Sequence, residues 1–154
     1  MAGDETPGMR FSRMDFIRKH IELYRSDPEK AHLWDSTPAG GPGMLPTLLL
    51  TTTGRKSGKP RDVPLIYGES GGAYVVVASR GGTPTHPIWF LNLAAHPECE
   101  LRVGTRHVCA RARVAEGTER ERLWRQMANL YPPYDAYQRN TGARTIPVVV
   151  LEPR

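Results

Sequence analysis

The chain has 154 residues, 39% of them apolar, with three tryptophans, six tyrosines and three phenylalanines, enough to bury one domain core and too aromatic for wholesale disorder. Its net charge of +5 is modest, no apolar run has the length of a membrane span, and no secretory leader opens the sequence. Cys99 and Cys109 stand outside any CxxC or Cys/His cluster, so a cytoplasmic protein with reduced thiols and no structural zinc is the expectation.

The first eleven residues read as a loose tail, and Ser12–Arg25 is predicted to be a helix. Ser12 and Asp15 form a capping-box pattern, and Phe16, Ile17, Ile21 and Tyr24 recur on one side. Arg13, Arg18, Lys19 and Arg25 cover the rest. One reading packs this helix on the domain; a second rests it on a membrane surface, which would hold the protein at the inner face of the cell membrane. From Asp27 to Pro46 four prolines break the chain, and TPAGGPG is a loop.

Thr47–Thr53 is the first strong strand, with three successive leucines that imply burial on both faces. Val63–Tyr67 and Ala73–Ala78 follow as strands. Glu98–Val103 and Arg106–Val114 alternate apolar and polar residues, and Gly104-Thr105 makes them a hairpin. Ile146–Leu151 closes the series, with Pro147 placing its start at an edge or bulge. Two helices interrupt the strands. Pro87–Ala95 carries Trp89, Phe90 and Leu93 on one side, and Thr118–Leu130 opens on a Thr118/Glu121 capping box. Most connections are too short for helical crossovers. The expected fold is α+β: a small, mainly antiparallel barrel with peripheral helices.

Three stretches carry chemistry. TTTGRKSGKPR, Thr51–Arg61, places four cations and no acid between Arg55 and Arg61. Amides of a glycine-bearing turn converge on anion oxygens, because small residues allow close approach. Arg55 and Arg61 offer planar donors, Lys56 and Lys59 mobile charges, and Ser57 a hydroxyl. An anionic ligand and a solvated basic hairpin both fit this stretch. It is neither a P-loop, since the GxxxxGK[ST] spacing is missing, nor a GxGxxG dinucleotide turn. ASRGGTPTHPIWF, Ala78–Phe90, offers the amides of Ser79 to Gly82 to a planar ring, or else is a flexible linker with a core tryptophan. LYPPYDAY sets Tyr131, Tyr134 and Tyr137 three residues apart, to line a cleft or to pack. The histidines, His86 and His96 included, show no metal-ligand spacing.

Taken in order, LTTTGRKSGKPR, VVVASRGGTPTHPIWFLNLAAHPECELRV and LYPPYDAYQRNTGARTIPVVVLEP closely resemble the deazaflavin-dependent nitroreductase family. This is the F420H2-dependent quinone reductase branch of the split β-barrel oxidoreductases. The resemblance spans roughly Leu45–Pro153, about two-thirds of the chain. It implies a flavin-reductase-like split barrel over residues 27–154, preceded by the tail and amphipathic helix of residues 1–26. It also implies coenzyme F420 as cofactor. Thr53, Arg55, Lys56, Ser57 and Arg61 would hold its phosphate, with Lys59 nearer the glutamyl tail. Ala78, Ser79, Arg80, Gly81 and Gly82 would meet the ring, and Trp89 would close the groove. Tyr131, Tyr134 and Tyr137, with Ser79, would form the catalytic side. Ile66 and Ile88 replace a tyrosine and a methionine of a well-known nitroreductase in the group, so the acceptor is less transferable than the cofactor.

The implied reaction is hydride transfer from reduced F420 to a quinone, enone or nitroaromatic acceptor, with a tyrosine hydroxyl stabilising the growing charge. Alternatives are a split barrel using flavin mononucleotide and a non-catalytic F420-binding protein. Nucleic acid is not an expected partner, because no recognition motif accompanies the basic run. Both a monomer and a homodimer suit the resemblance.

Overall fold

The computed structural model describes the backbone of residues 7–154 and the side chains of residues 15–154. Eight strands are present among them: β1 (Leu33–Asp35), β2 (Met44–Thr53), β3 (Pro60–Ile66), β4 (Gly68–Ser70), β5 (Ala73–Val77), β6 (Glu98–Val103), β7 (Arg106–Val114) and β8 (Val148–Pro153). The helices are α1 (Pro7–Ser26), α2 (Pro28–Ala31), α3 (Ile88–Ala95), α4 (Gly117–Leu130) and α5 (Pro133–Asn140).

The strands form an antiparallel sheet in the order β1-β2-β6-β7-β8-β5-β4, with β3 also on β2. Closure comes from the ribbon Pro60–Ser70. Its first part pairs with β2, from Thr53↔Pro60 to Thr47↔Ile66, and its last part pairs with β5. One continuous stretch thus links β2 to β5, and the amide of Tyr67 between its two parts donates to Pro46 O at 3.2 Å. The result is an α+β split barrel with peripheral helices.

Strict alternation of side chains along each strand explains why apolar runs suffice here. Tyr74 and Val76 of β5 point into the barrel with Leu48, Leu50, Leu101 and Val149. Ala73, Val75 and Val77 point outward, beneath Leu123 and Met127 of α4 and Tyr134 of α5. Val148 and Val150 of β8 join that outer layer, while Leu151 turns inward. Each fully buried side chain of this kind contributes about 1.5–3 kcal/mol. On β2, Leu49 faces away from Leu48 and Leu50, against Tyr24 and Ala31. The three leucines are therefore buried on both faces, as their succession predicts. Tyr24 pins α1: it is fully buried, its hydroxyl donates to Thr47 O at 2.5 Å, and it accepts from Gly104 N at 3.2 Å.

The β6–β7 hairpin forms with Val103 opposite Arg106, as expected. Other expectations are corrected. The helix α1 starts at Pro7, so Ser12 lies inside it rather than at its cap, and residues 7–11 are helical. Pro7 suits a first turn because its missing N–H has no partner there to lose. Residues 1–6 of the expected tail lie outside the described residues. At α4 the cap position is Glu116, and Thr118 falls in the first turn without capping. The proline-rich stretch from Asp27 to Pro46 holds α2, β1 and the start of β2. β4 is a three-residue strand too short to leave a periodic signal. Pro147 precedes β8, whose neighbours on both sides make it an interior strand; the Pro147 carbonyl accepts from Ala78 N at 2.9 Å.

Candidate functional site

A cavity of about 390 Å³ opens where the barrel rim meets the helices. Val63 to Ile66 of β3 form one wall, and Ser79, Arg80 and Gly81 with Pro87 and Trp89 form another. Tyr131, Tyr134 and Tyr137 form the third, and Phe16, Ile17 and His20 of α1 lie over it with Trp34. Most of these side chains are apolar. The cavity suits a flat, conjugated molecule, with polar groups at few points.

The tyrosines reach it through two local devices. Tyr131 caps α4, its amide bonded to Met127 O, and the following prolines start α5, which presents Tyr134 and Tyr137. Their rings meet edge to face, Tyr131 and Tyr134 at 4.8 Å between centroids. The Tyr131 and Tyr137 hydroxyls bond each other at 3.1 Å, and Tyr131 also donates to Ala39 O at 3.3 Å. The Tyr134 hydroxyl has no protein hydrogen bond among the described residues, and neither has Ser79 Oγ. Burial pushes the Tyr131 and Tyr134 phenols well above the ordinary range, with the neighbouring tyrosines adding to it. Both stay protonated donors throughout the neutral range.

The turn Ser79–Gly82 follows β5. Ser79 is αR and Arg80 has φ 47°, the one non-glycine residue with positive φ among the described residues. An αR residue followed by a left-handed one gathers successive amides into a concavity for an electronegative group. Gly81 (φ 64°) continues the bend and lines the cavity. Gly82 does not line it. A Cβ there would come within 2.8 Å of Tyr137 Cα, so its glycine serves the close approach of α5. Ala78 is fully buried in the barrel core.

The basic turn lies outside the cavity wall. Thr53 faces Pro60 in the pair that closes the β2–β3 hairpin, and Gly54 N donates to Lys59 O at 2.8 Å. Ser57 Oγ accepts from Lys59 N at 3.1 Å. Arg55, Lys56, Lys59 and Arg61 are exposed, and none has a carboxylate partner among the described residues. Arg61 lies two residues before Val63 on the same face of β3, about 7 Å along the strand. The turn and the cavity are thus two ends of one wall. Trp89, largely buried, links the cavity to the barrel core.

Two residues to which sequence reasoning gave no role complete the site. Asn92 of α3, buried, accepts from Arg55 N at 3.0 Å and donates to Thr52 Oγ1 at 3.1 Å. Arg144, between α5 and β8, bonds the carbonyls that flank Ser79–Thr83. Both lie within the stretches that carry the family resemblance, but no local pattern gave either a role, and both act across more than 35 positions. Sequence reasoning also left out the roof made by Phe16, Ile17, His20 and Trp34, although the apolar side of α1 carried a signal for it. Ile66 lines the cavity, whereas Ile88 is 64% exposed at the start of α3.

This arrangement fits a ligand with an anionic tail and a flat ring: exposed cations at one end, an amide concavity and an apolar slot at the other. A family profile described as F420H(2)-dependent quinone reductase matches residues 18–153. An F420H(2)-dependent quinone reductase of Mycobacterium tuberculosis is 42% identical over 116 residues, covering 73% of this chain and 77% of that protein. A solved structure described as an F420-H2 dependent reductase is 45% identical, with TM-score 0.64 over 69% of this chain and 93% of that one. Another, described as a domain-swapped dimer, is 38% identical, with TM-score 0.67 over 91% of this chain and 99% of that one. The chain belongs to the F420H(2)-dependent quinone reductase family, and membership assigns it to the hydride-transfer oxidoreductases.

Proposed function

We propose that this member of the F420H(2)-dependent quinone reductase family binds coenzyme F420 and reduces a flat conjugated acceptor, a quinone, enone or nitroaromatic. The bound, reduced cofactor would supply the hydride, and the protein supplies distance, orientation and field. Arg55, Lys56, Lys59 and Arg61, with Ser57 and the turn amides, hold the anionic tail at the far end of β3. The Ser79–Arg80–Gly81 concavity receives an electronegative edge of the ring, and Trp89 and Pro87 bound it. Phe16, Ile17 and Ile66 exclude water and favour an apolar acceptor.

One observation carries this reading: Tyr134, whose hydroxyl has no hydrogen-bond partner among the described residues, and the amide concavity at Ser79 line the same apolar cavity. Hydride uptake makes the acceptor oxygen more negative. A phenol held protonated, with no hydrogen-bond partner among the described residues, is placed to donate to that oxygen. Tyr137, tied to Tyr131, orients rather than donates.

Titration of the purified protein with F420 and with flavin mononucleotide, followed by anaerobic mixing of the F420H2-loaded protein with a quinone, tests the proposal. Saturable F420 binding and loss of the reduced cofactor's signal on mixing are expected. Preference for flavin mononucleotide would replace the cofactor, and binding without oxidation across a quinone and enone panel would leave a carrier. Exchanging Lys56 and Arg61 for glutamine should weaken F420 binding and flatten its salt dependence.

A further inference from the structure

A single guanidinium holds the Ser79–Thr83 loop from behind. Arg144 Nη1 donates to Ala78 O at 3.0 Å, and Nη2 donates to Ser79 O and to Thr83 O, each at 2.7 Å. Nε also donates to Thr83 O at 3.0 Å. Arg144 is itself anchored, because its carbonyl accepts from Thr141 Oγ1 at 2.7 Å and from Gln138 Nε2 at 2.9 Å. His86 Nδ1 lies 3.2 Å from Nη1. Arg144 is not among the residues that line the cavity.

The loop has reason to need holding. Arg80 carries a backbone conformation that side chains disfavour, and such strain persists only where the surroundings over-determine it. Peptide geometry then fixes what the clamp does. In a trans peptide the N–H points opposite to the C=O of the same plane. The carbonyls of Ala78 and Ser79 face Arg144, so the amides of Ser79 and Arg80 face away from it. Ser79, Arg80 and Gly81 line the cavity, and Arg144 does not.

We propose that Arg144 is a positioning residue for the reaction: it draws three carbonyls to one side of the loop and thereby aims the amides of Ser79 and Arg80 into the cavity as fixed donors to the ring. This rests on the function proposed above. The planar fork is essential to the role. A lysine has the charge, but a point donor does not reach three carbonyls in fixed directions.

The test uses the full chain as wild type, Arg144→Ala, Arg144→Gln and Arg144→Lys. Without cofactor, hydrogen exchange of the amides of residues 79–83 should speed up about tenfold or more in Arg144→Ala, while β5 and β8 keep their protection. With F420, affinity and kcat should fall about 100-fold, the size expected when a donor pair loses its alignment. The absorption maximum of the bound cofactor should move towards that of the free one. Methylguanidinium should restore binding to Arg144→Ala and leave wild type unchanged; Arg144→Gln should lie between, and Arg144→Lys near Arg144→Ala. Unchanged loop exchange, or wild-type affinity and spectrum in Arg144→Ala, overturns the proposal, as does a loss that methylguanidinium fails to reverse. If Arg144→Ala does not fold, Arg144→Gln carries the same readouts. If wild type itself binds no F420, the proposed function fails, and the exchange measurement still judges the clamp.

Discussion

Asn92 and Arg55, 37 positions apart, are joined by a hydrogen bond from the Arg55 amide to the Asn92 side-chain oxygen at 3.0 Å. The same side chain donates to Thr52 Oγ1. The basic turn is therefore not a free hairpin tip. It is tied to the helix that carries Trp89, so the tail-binding and ring-binding ends of the site share one support.

Replacing Asn92 with leucine should uncouple those ends. It strands the Arg55 amide and the Thr52 hydroxyl, at a cost of about 1–3 kcal/mol each when such groups are buried. We expect a lower melting temperature and weaker F420 binding, with KM for the acceptor unchanged at saturating cofactor. Equal affinity in the variant, measured by fluorescence titration, would show that the turn organises itself.

Tyr134→Phe removes the one phenol of the cluster without a hydrogen-bond partner among the described residues. A hydrogen bond to a developing charge is worth about 1.5–3 kcal/mol, so kcat should fall roughly 10- to 100-fold. Tyr137→Phe should cost much less, because the Tyr131 hydroxyl keeps Ala39 O as acceptor. Single-turnover oxidation of the loaded variants distinguishes them. Equal rates in both would remove the hydroxyls from the chemistry.

Gly82→Ala should be destabilising whatever the cofactor does. Gly82 has φ 82°, and an added methyl would meet the Tyr137 backbone at 2.8–2.9 Å, which cannot yield as a side-chain tip can. A loss of about 1–3 kcal/mol in chemical denaturation is expected.

Stability should also depend on pH through His86. Burial, and then the charge of Arg144, push its pKa below the ordinary value near 6.5. The unfolded chain therefore takes up this proton at a higher pH than the folded one. The contribution is complete above about pH 6.5 and declines as pH falls from there towards the folded value. His86→Asn, which keeps an acceptor but does not titrate, should show a flatter fall in melting temperature between pH 7 and pH 5. Identical slopes would assign the pH dependence elsewhere.

Much of this was legible without coordinates where the relevant pattern is local. The apolar run Leu48–Leu50 announces a strand covered on both faces, Gly104-Thr105 announces its hairpin, and the spacing of Tyr134 and Tyr137 after the prolines announces one side of a short helix, with Tyr131 ending the helix before it. The resemblance of the motifs identified the family. Short edge strands such as β1 and β4 were not legible, because three residues hold no period. The capping patterns at Ser12 and Thr118 misled, since a cap is decided by where the preceding backbone leaves the helix and not by the residue type alone.

The sequence by itself determined which residues are apolar, charged or turn-forming, and hence the elements and the chemistry available to them. Only the tertiary structure decided that Tyr134 has no hydrogen-bond partner among the described residues while Tyr137 is tied to Tyr131, that Gly82 serves α5, and that Asn92 and Arg144 hold the two loops. The physical reason is range. Periodicity and turn preference act within a few residues, whereas a hydrogen bond such as that from Arg144 to Ala78 O, across 66 positions, exists only once the barrel has closed.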